Sequence, residues 1–133
     1  DLHLCDRRQR QMCIRDSSVE GKTIYHAGDL NDWYWKEESE EWNQEMSKHF
    51  HEYIEPLRDR EIDAAFIPLD PRQEEYYTLG MDYFLSLTKT EKVYPMHFWR
   101  KTEVIDRWME EHPKSQDRDR IVRITEEGEI FEQ

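Results

Sequence analysis

The sequence predicts an α/β fold, a mixed sheet with about three helices, and three observations carry that expectation. Short runs rich in β-branched, aromatic and other apolar residues alternate with longer stretches of helical periodicity. Residues 62–67 form a nearly continuous apolar run, the pattern of a strand covered on both faces, and residues 91–96 read as a second such strand. At 133 residues the chain fits one domain.

The elements follow in order. Residues 18–26 read as a β-hairpin, with a turn at Gly21 and a strand through Ile24 and Tyr25 that stops at Ala27-Gly28-Asp29. A loop with the aromatic cluster Trp33, Tyr34 and Trp35 comes next. Trp42, Met46, Phe50, Tyr53 and Leu57 then recur at spacings of 4, 4, 3 and 4, which predicts an amphipathic helix with these residues inward. Its outer face is acidic near the start, where Glu37, Glu38, Glu40, Glu41 and Glu45 suit the helix dipole. Pro56 and the charged run at 58–61 close it.

After the strand at 62–67, Pro68 and Pro71 turn the chain, because the residue before a proline is pushed out of helical geometry. A second helix is expected over 75–87, with Tyr76, Leu79, Tyr83 or Phe84, and Leu87 on one face. The strand at 91–96 ends in Pro95-Met96-His97. A third helix over 102–111 places Val104, Ile105, Trp108 and Met109 inward, with Thr102 as N-cap and Pro113 beyond its end. Residues 121–125 and 129–131, joined through Gly128, are expected to form a closing hairpin.

Composition narrows the function classes. Charged residues make up 38% of the chain, against roughly 25% in an average globular protein. Five Trp, seven Tyr and five Phe supply large apolar area and argue against intrinsic disorder. With 19 Lys and Arg against 31 Asp and Glu, the formal charge is −12, which disfavours nucleic acid and anionic lipid as partners. No run approaches the ~18 apolar residues of a membrane span and no signal-peptide pattern opens the chain, so a cytoplasmic protein is expected.

Residues 1–16 differ from the rest. They carry four Arg and three Asp as well as both cysteines, Cys5 and Cys13, whose C-x7-C spacing matches no common zinc or redox pattern. The string looks like translated sequencing-adapter read-through. A non-native leader over 1–16 and a partial domain over 17–133 are therefore the expected organisation.

Two strand ends carry groups with chemistry, Gly28-Asp29 after the first strand and Met96-His97 after the third. Ligands in open α/β sheets bind beyond the carboxyl ends of strands, which makes Asp29 and His97 candidate ligands for zinc or a neighbouring metal. The alternatives are that Asp29 caps a turn and that His97 is a hydrogen-bonded histidine at a helix start.

The segments Ile24-Tyr25-His26-Ala27-Gly28-Asp29-Leu30-Asn31-Asp32-Trp33, Asp63-Ala64-Ala65-Phe66-Ile67-Pro68-Leu69-Asp70-Pro71-Arg72 and Tyr94-Pro95-Met96-His97-Phe98 resemble, in order and spacing, the C-terminal half of metallo-β-lactamase-fold hydrolases. The resemblance implies half of a four-layer αββα sandwich with one or two metal ions, zinc first and manganese or iron as alternatives. It further implies that Asp29 is the metal-bridging carboxylate and that His97 completes the second metal's shell. A carboxylate can bridge cations about 3.5–4 Å apart, and two such cations bring the pKa of a shared water towards 7, giving hydroxide to attack an ester, lactone, amide or phosphodiester bond of a small-molecule substrate.

The family's His-x-His-x-Asp-His run is not in this chain. His49-Phe50-His51 falls within the first helix, where residues two apart point to different sides. Without those ligands the chain alone is expected to be inactive. Around the site, His26 is either a support for Asp29 or a packed strand histidine. Asp70 and Arg72 either orient substrate or stiffen a proline turn by pairing with each other, and Trp33 and Trp35 either line the pocket mouth or pack under the loop. A half-sandwich would leave an apolar sheet face open, so homodimerisation through that face is a further expectation. A non-catalytic acidic protein-binding module is the competing function.

Overall fold

The structure, a computed structural model, describes residues 16–19, by backbone alone, and 21–131. Residues 1–15, which make up most of the expected leader, and both cysteines lie outside the described residues, as does His3. Asp16, the last residue of that leader, pairs with Tyr25.

The fold is mixed α/β. Strands β1 (Asp16–Val19) and β2 (Lys22–His26) form the predicted antiparallel hairpin, with Val19 opposite Lys22 and Gly21 at φ 80° in the turn. Strands β3 (Glu61–Pro68) and β4 (Lys89–Met96) extend the sheet in the order β1-β2-β3-β4, with β2, β3 and β4 parallel. The connections carry the helices, as parallel strands require. Helix α1 (Glu40–Ile54) joins β2 to β3, α2 (Leu79–Leu87) joins β3 to β4, and α3 (Glu103–Glu111) follows β4. Among the described residues, no helix is long and apolar enough to cross a membrane.

Side chains alternate across a strand, and the register turns that alternation into two rows. Tyr25, Ala65 and Val93 are in register on the face covered by helices, where Tyr25 stacks on Phe84 of α2. All three belong to the core, together with Phe50 and Ile54 of α1 and Ile105 and Trp108 of α3. The next residues, His26, Phe66 and Tyr94, make a ring-on-ring row on the other face, with centroids 5.4 and 5.2 Å apart. Phe66 and the largely buried Tyr94 line an open groove of about 1170 Å³, together with Phe98, Trp99 and Phe131.

Four details depart from the sequence pattern. The second helix begins at Leu79 rather than at residue 75, and it leaves Leu79 exposed while Met81, Phe84, Leu85 and Leu87 are buried. Trp42 is exposed, and Asn43 is buried in its place. Asn43 turns inward because its amide meets both backbone groups of Trp35, accepting from the N–H at 3.0 Å and donating to the carbonyl at 2.8 Å. Both polar atoms of the buried amide are bonded, which reduces the penalty that a count of apolar residues assumes. Thr102 makes no capping bond, whereas Ser39 accepts the Trp42 N–H and caps α1. The closing hairpin is not a pair of strands. Ile121 makes a single parallel bridge to Val93, and the segment beyond it is closed by the Glu129 carboxylate accepting from the Thr125 N–H and hydroxyl. A side-chain acceptor has taken the donors that a ladder would have used.

Candidate functional site

Because β2, β3 and β4 are parallel, their carboxyl ends share one edge of the sheet, and the loops leaving it hold Asp29, Asp70 and His97. Each is placed by a different local device.

After β2 the chain turns at Gly28, whose φ of 65° suits glycine. His26 does not bond the Asp29 carboxylate. Its Nδ1 accepts the Gly28 N–H at 3.0 Å, so the imidazole shapes the Gly-Asp turn through the backbone. The Asp29 carboxylate is left without a partner among the described residues, in a cleft of about 320 Å³ beside Trp33, His49 and Tyr53. The Asp29 carbonyl accepts the Trp33 indole N–H at 2.8 Å.

After β3, Asp70 is fully buried. It accepts from the Arg72 backbone N–H at 2.9 Å, from Arg72 Nε at 3.1 and 3.2 Å and from Arg72 Nη2 at 2.7 Å, and it meets His97 Nδ1 at 3.1 Å. Burial alone would push its pKa up. The bonds from the Arg72 side chain, the Arg72 backbone and His97 outweigh that and hold the carboxyl below the usual carboxylate range. An ionised Asp70 can only accept, so His97 Nδ1 carries the proton of this contact, and Nε2 has no partner among the described residues. The pairing of Asp70 with Arg72 in a proline turn is therefore present, and one carboxylate extends it to the imidazole.

After β4, His97 and Trp99 have φ of 69° and 46°, a left-handed conformation that bulky residues rarely adopt. Aromatic packing fixes both. The His97 ring lies 5.2 Å from Trp33 and 5.1 Å from Trp99. Trp33 stacks on Trp35 with ring planes 3° apart, and the Arg72 guanidinium sits 4.2 Å from Trp99 and 5.6 Å from Trp35.

Of the six residues singled out from sequence, Asp70, Arg72, His97 and Trp33 form one contact network. Asp29 joins it through its backbone and Trp33, and His26 stacks on Phe66 in the open-face row. Asp29 and His97 do not bond each other. Sequence reasoning missed the part played by Trp99, whose only signal was its place two residues after His97. His49 and His51 diverge as expected. His49 bonds Glu45 and stacks on Tyr53, while His51 stacks on Tyr83. His112 is structural, linking the Trp108 carbonyl to Asp82.

Among the described residues no three His, Cys, Asp or Glu side chains converge to hold a metal ion. The donor types, a histidine with Nδ1 anchored on a carboxylate and a carboxylate left unpaired, are ones a zinc site uses, but Asp29 lines a cleft whose lining does not include His97. Comparison with family models, with curated proteins and with solved structures returns no match for this chain.

Proposed function

We propose that this chain is the C-terminal portion of a metal-dependent hydrolase of the metallo-β-lactamase type, with zinc as the expected metal and Asp29 and His97 as ligands. The observation that carries the reading is the buried Asp70, which holds His97 Nδ1 at the shared carboxyl edge of three parallel strands. Carboxylate-anchored histidines are the usual form of a zinc-ligating imidazole, because the anchor fixes the tautomer and raises ligand basicity. A coordinated water acidified towards neutral pH is the chemistry that such a cation supplies when bound.

The chain's own residues supply orientation. Asp70 and Trp33 fix the His97 ring, and the Gly28 turn with the His26 acceptor presents Asp29. Two ligands are fewer than the three protein ligands a catalytic zinc uses, so the remainder would come from a His-x-His-x-Asp-His segment joined upstream, and the chain alone is inactive. The aromatic row on the sheet face without helices supports the half-sandwich that this reading needs. Until that face is covered, a second copy of the chain is its expected partner.

Calorimetric titration with zinc tests the assignment, on the chain and on an upstream-extended gene product. The extended protein is expected to bind zinc, with Asp29→Ala and His97→Ala each weakening it about tenfold or more. Equal affinity in both variants would overturn the ligand assignment. Light scattering showing a stable monomer with little dye-binding apolar surface would overturn the self-association.

A further inference from the structure

We infer that Arg72, which lies against Trp99 and near Trp35, binds the oxyanion of a small-molecule substrate, a carboxylate or phosphate attached to an aromatic or other flat apolar body. The inference rests on the site placement proposed above and adds the substrate class.

The guanidinium is held before any ligand arrives. Nε and Nη2 are committed to Asp70, while Nη1 takes no partner among the described residues. Both indoles lie within cation–π range of the guanidinium, and the Nη1 edge is the one without a bonded acceptor. Half the side chain is still exposed (53%), and Trp99 beside it is 59% exposed. An internal pairing of Asp70 with Arg72 explains the turn. It does not explain a large aromatic held in a left-handed conformation 4.2 Å from the cation.

The neighbouring groups set the ligand's shape. Trp35 continues into the parallel Trp33, and Trp33 packs on His97, so an aromatic wall runs from the guanidinium to the imidazole. A ligand with its oxyanion on Nη1 and its body along this wall is directed towards His97. Asp70 neutralises the pair, so recognition comes from directed N–H donors rather than net charge. A lysine would not reproduce that fork.

Tryptophan emission of the whole chain is titrated with phenylphosphonate, benzoate and neutral benzyl alcohol, with chelator present throughout. Saturable quenching is expected for at least one anion and not for the alcohol over the same range. Arg72→Gln should weaken anion binding about tenfold or more, with Arg72→Lys giving only partial recovery. The tighter anion identifies the oxyanion. Absence of saturable anion binding, equal affinity in Arg72→Gln, or equal affinity for the alcohol overturns the inference. If circular dichroism shows Arg72→Gln unfolded, Trp99→Ala takes its place. That variant removes the indole 4.2 Å from the guanidinium while leaving the Asp70 bonds intact, and unchanged affinity in it overturns the inference as well. Because no metal is available in this titration, failure here and failure of the zinc experiment are separate results.

Discussion

Asp32 and Asp70 lie in loops leaving neighbouring parallel strands, and both carboxylates are almost entirely shielded from solvent. Their charge states are pulled in opposite directions. At Asp32 burial dominates and raises the pKa, although Ser47 donates to Oδ2 at 3.0 Å and His51 lies 3.7 Å away. Its Oδ1 has no partner. At Asp70 the same burial is outweighed by four bonds from Arg72 and one contact with His97. Burial therefore does not fix the role of an acid; the donors that reach it do.

The surroundings match that difference. Asp32 sits in a tight polar knot, where Asn31 Nδ2 donates to Gln73 Oε1 and Gln73 Nε2 donates to the Asp32 carbonyl. A Cβ added at Gly80 would come within 1.8 Å of Asn31 Oδ1. Asp70 faces an aromatic rim that reaches solvent through Arg72 and Trp99. The first region is packing, and the second is a charged group held ready.

The sharpest way to break this contrast is Gly80→Ala. Its methyl must displace the buried Asn31 amide, and a loss of about 3 kcal/mol is expected in denaturant unfolding. Adding Asn31→Ala should return part of that loss, and a double-mutant cycle without coupling would show that the two residues do not press on each other.

Asp70→Asn follows, with an expected loss of about 2 kcal/mol at neutral pH as the charge-assisted bonds to Arg72 weaken. A carboxyl held below its ordinary pKa contributes stability above the unfolded value, and that stability is lost as pH falls through the folded pKa. The gap between wild type and variant should therefore close in acid.

Asp32→Asn is expected to do the reverse, stabilising by about 1 kcal/mol at neutral pH because a buried charge with one oxygen left without a partner is removed. For a raised pKa the stabilising increment is present below the unfolded value and lost as pH rises through the folded one, so the variant's advantage should vanish on acidification. A destabilised Asp32→Asn with a flat pH profile would put the two acids in the same class. The smallest effect is expected for Ser47→Ala, a loss of about 0.5–1 kcal/mol in thermal unfolding from one hydrogen bond to a carboxylate.

Much of the fold was legible because periodicity reports burial. The inward face of α3, with Val104, Ile105, Trp108 and Met109, is buried as its spacing predicts. The strand pattern over residues 62–67 places β3 in the middle of the parallel strands. The first helix was less legible, since Asn43 is buried through bonds to a loop eight residues earlier, and no apolar count registers a satisfied amide. The candidate site was visible as strand-end residues. Its wiring was not, because the link from Asp70 to His97 spans 27 residues and depends on β3 and β4 being neighbours.

By itself the sequence determined the alternation of strands and helices, the two-faced character of each strand and the residue types gathered at the strand ends, because local sterics and hydrophobic spacing act within a few residues. The tertiary structure alone decided which buried acid is held below its ordinary pKa, which histidine nitrogen meets it and which indoles lie against Arg72. Each of these depends on donors and rings that only the pairing of distant strands brings within reach.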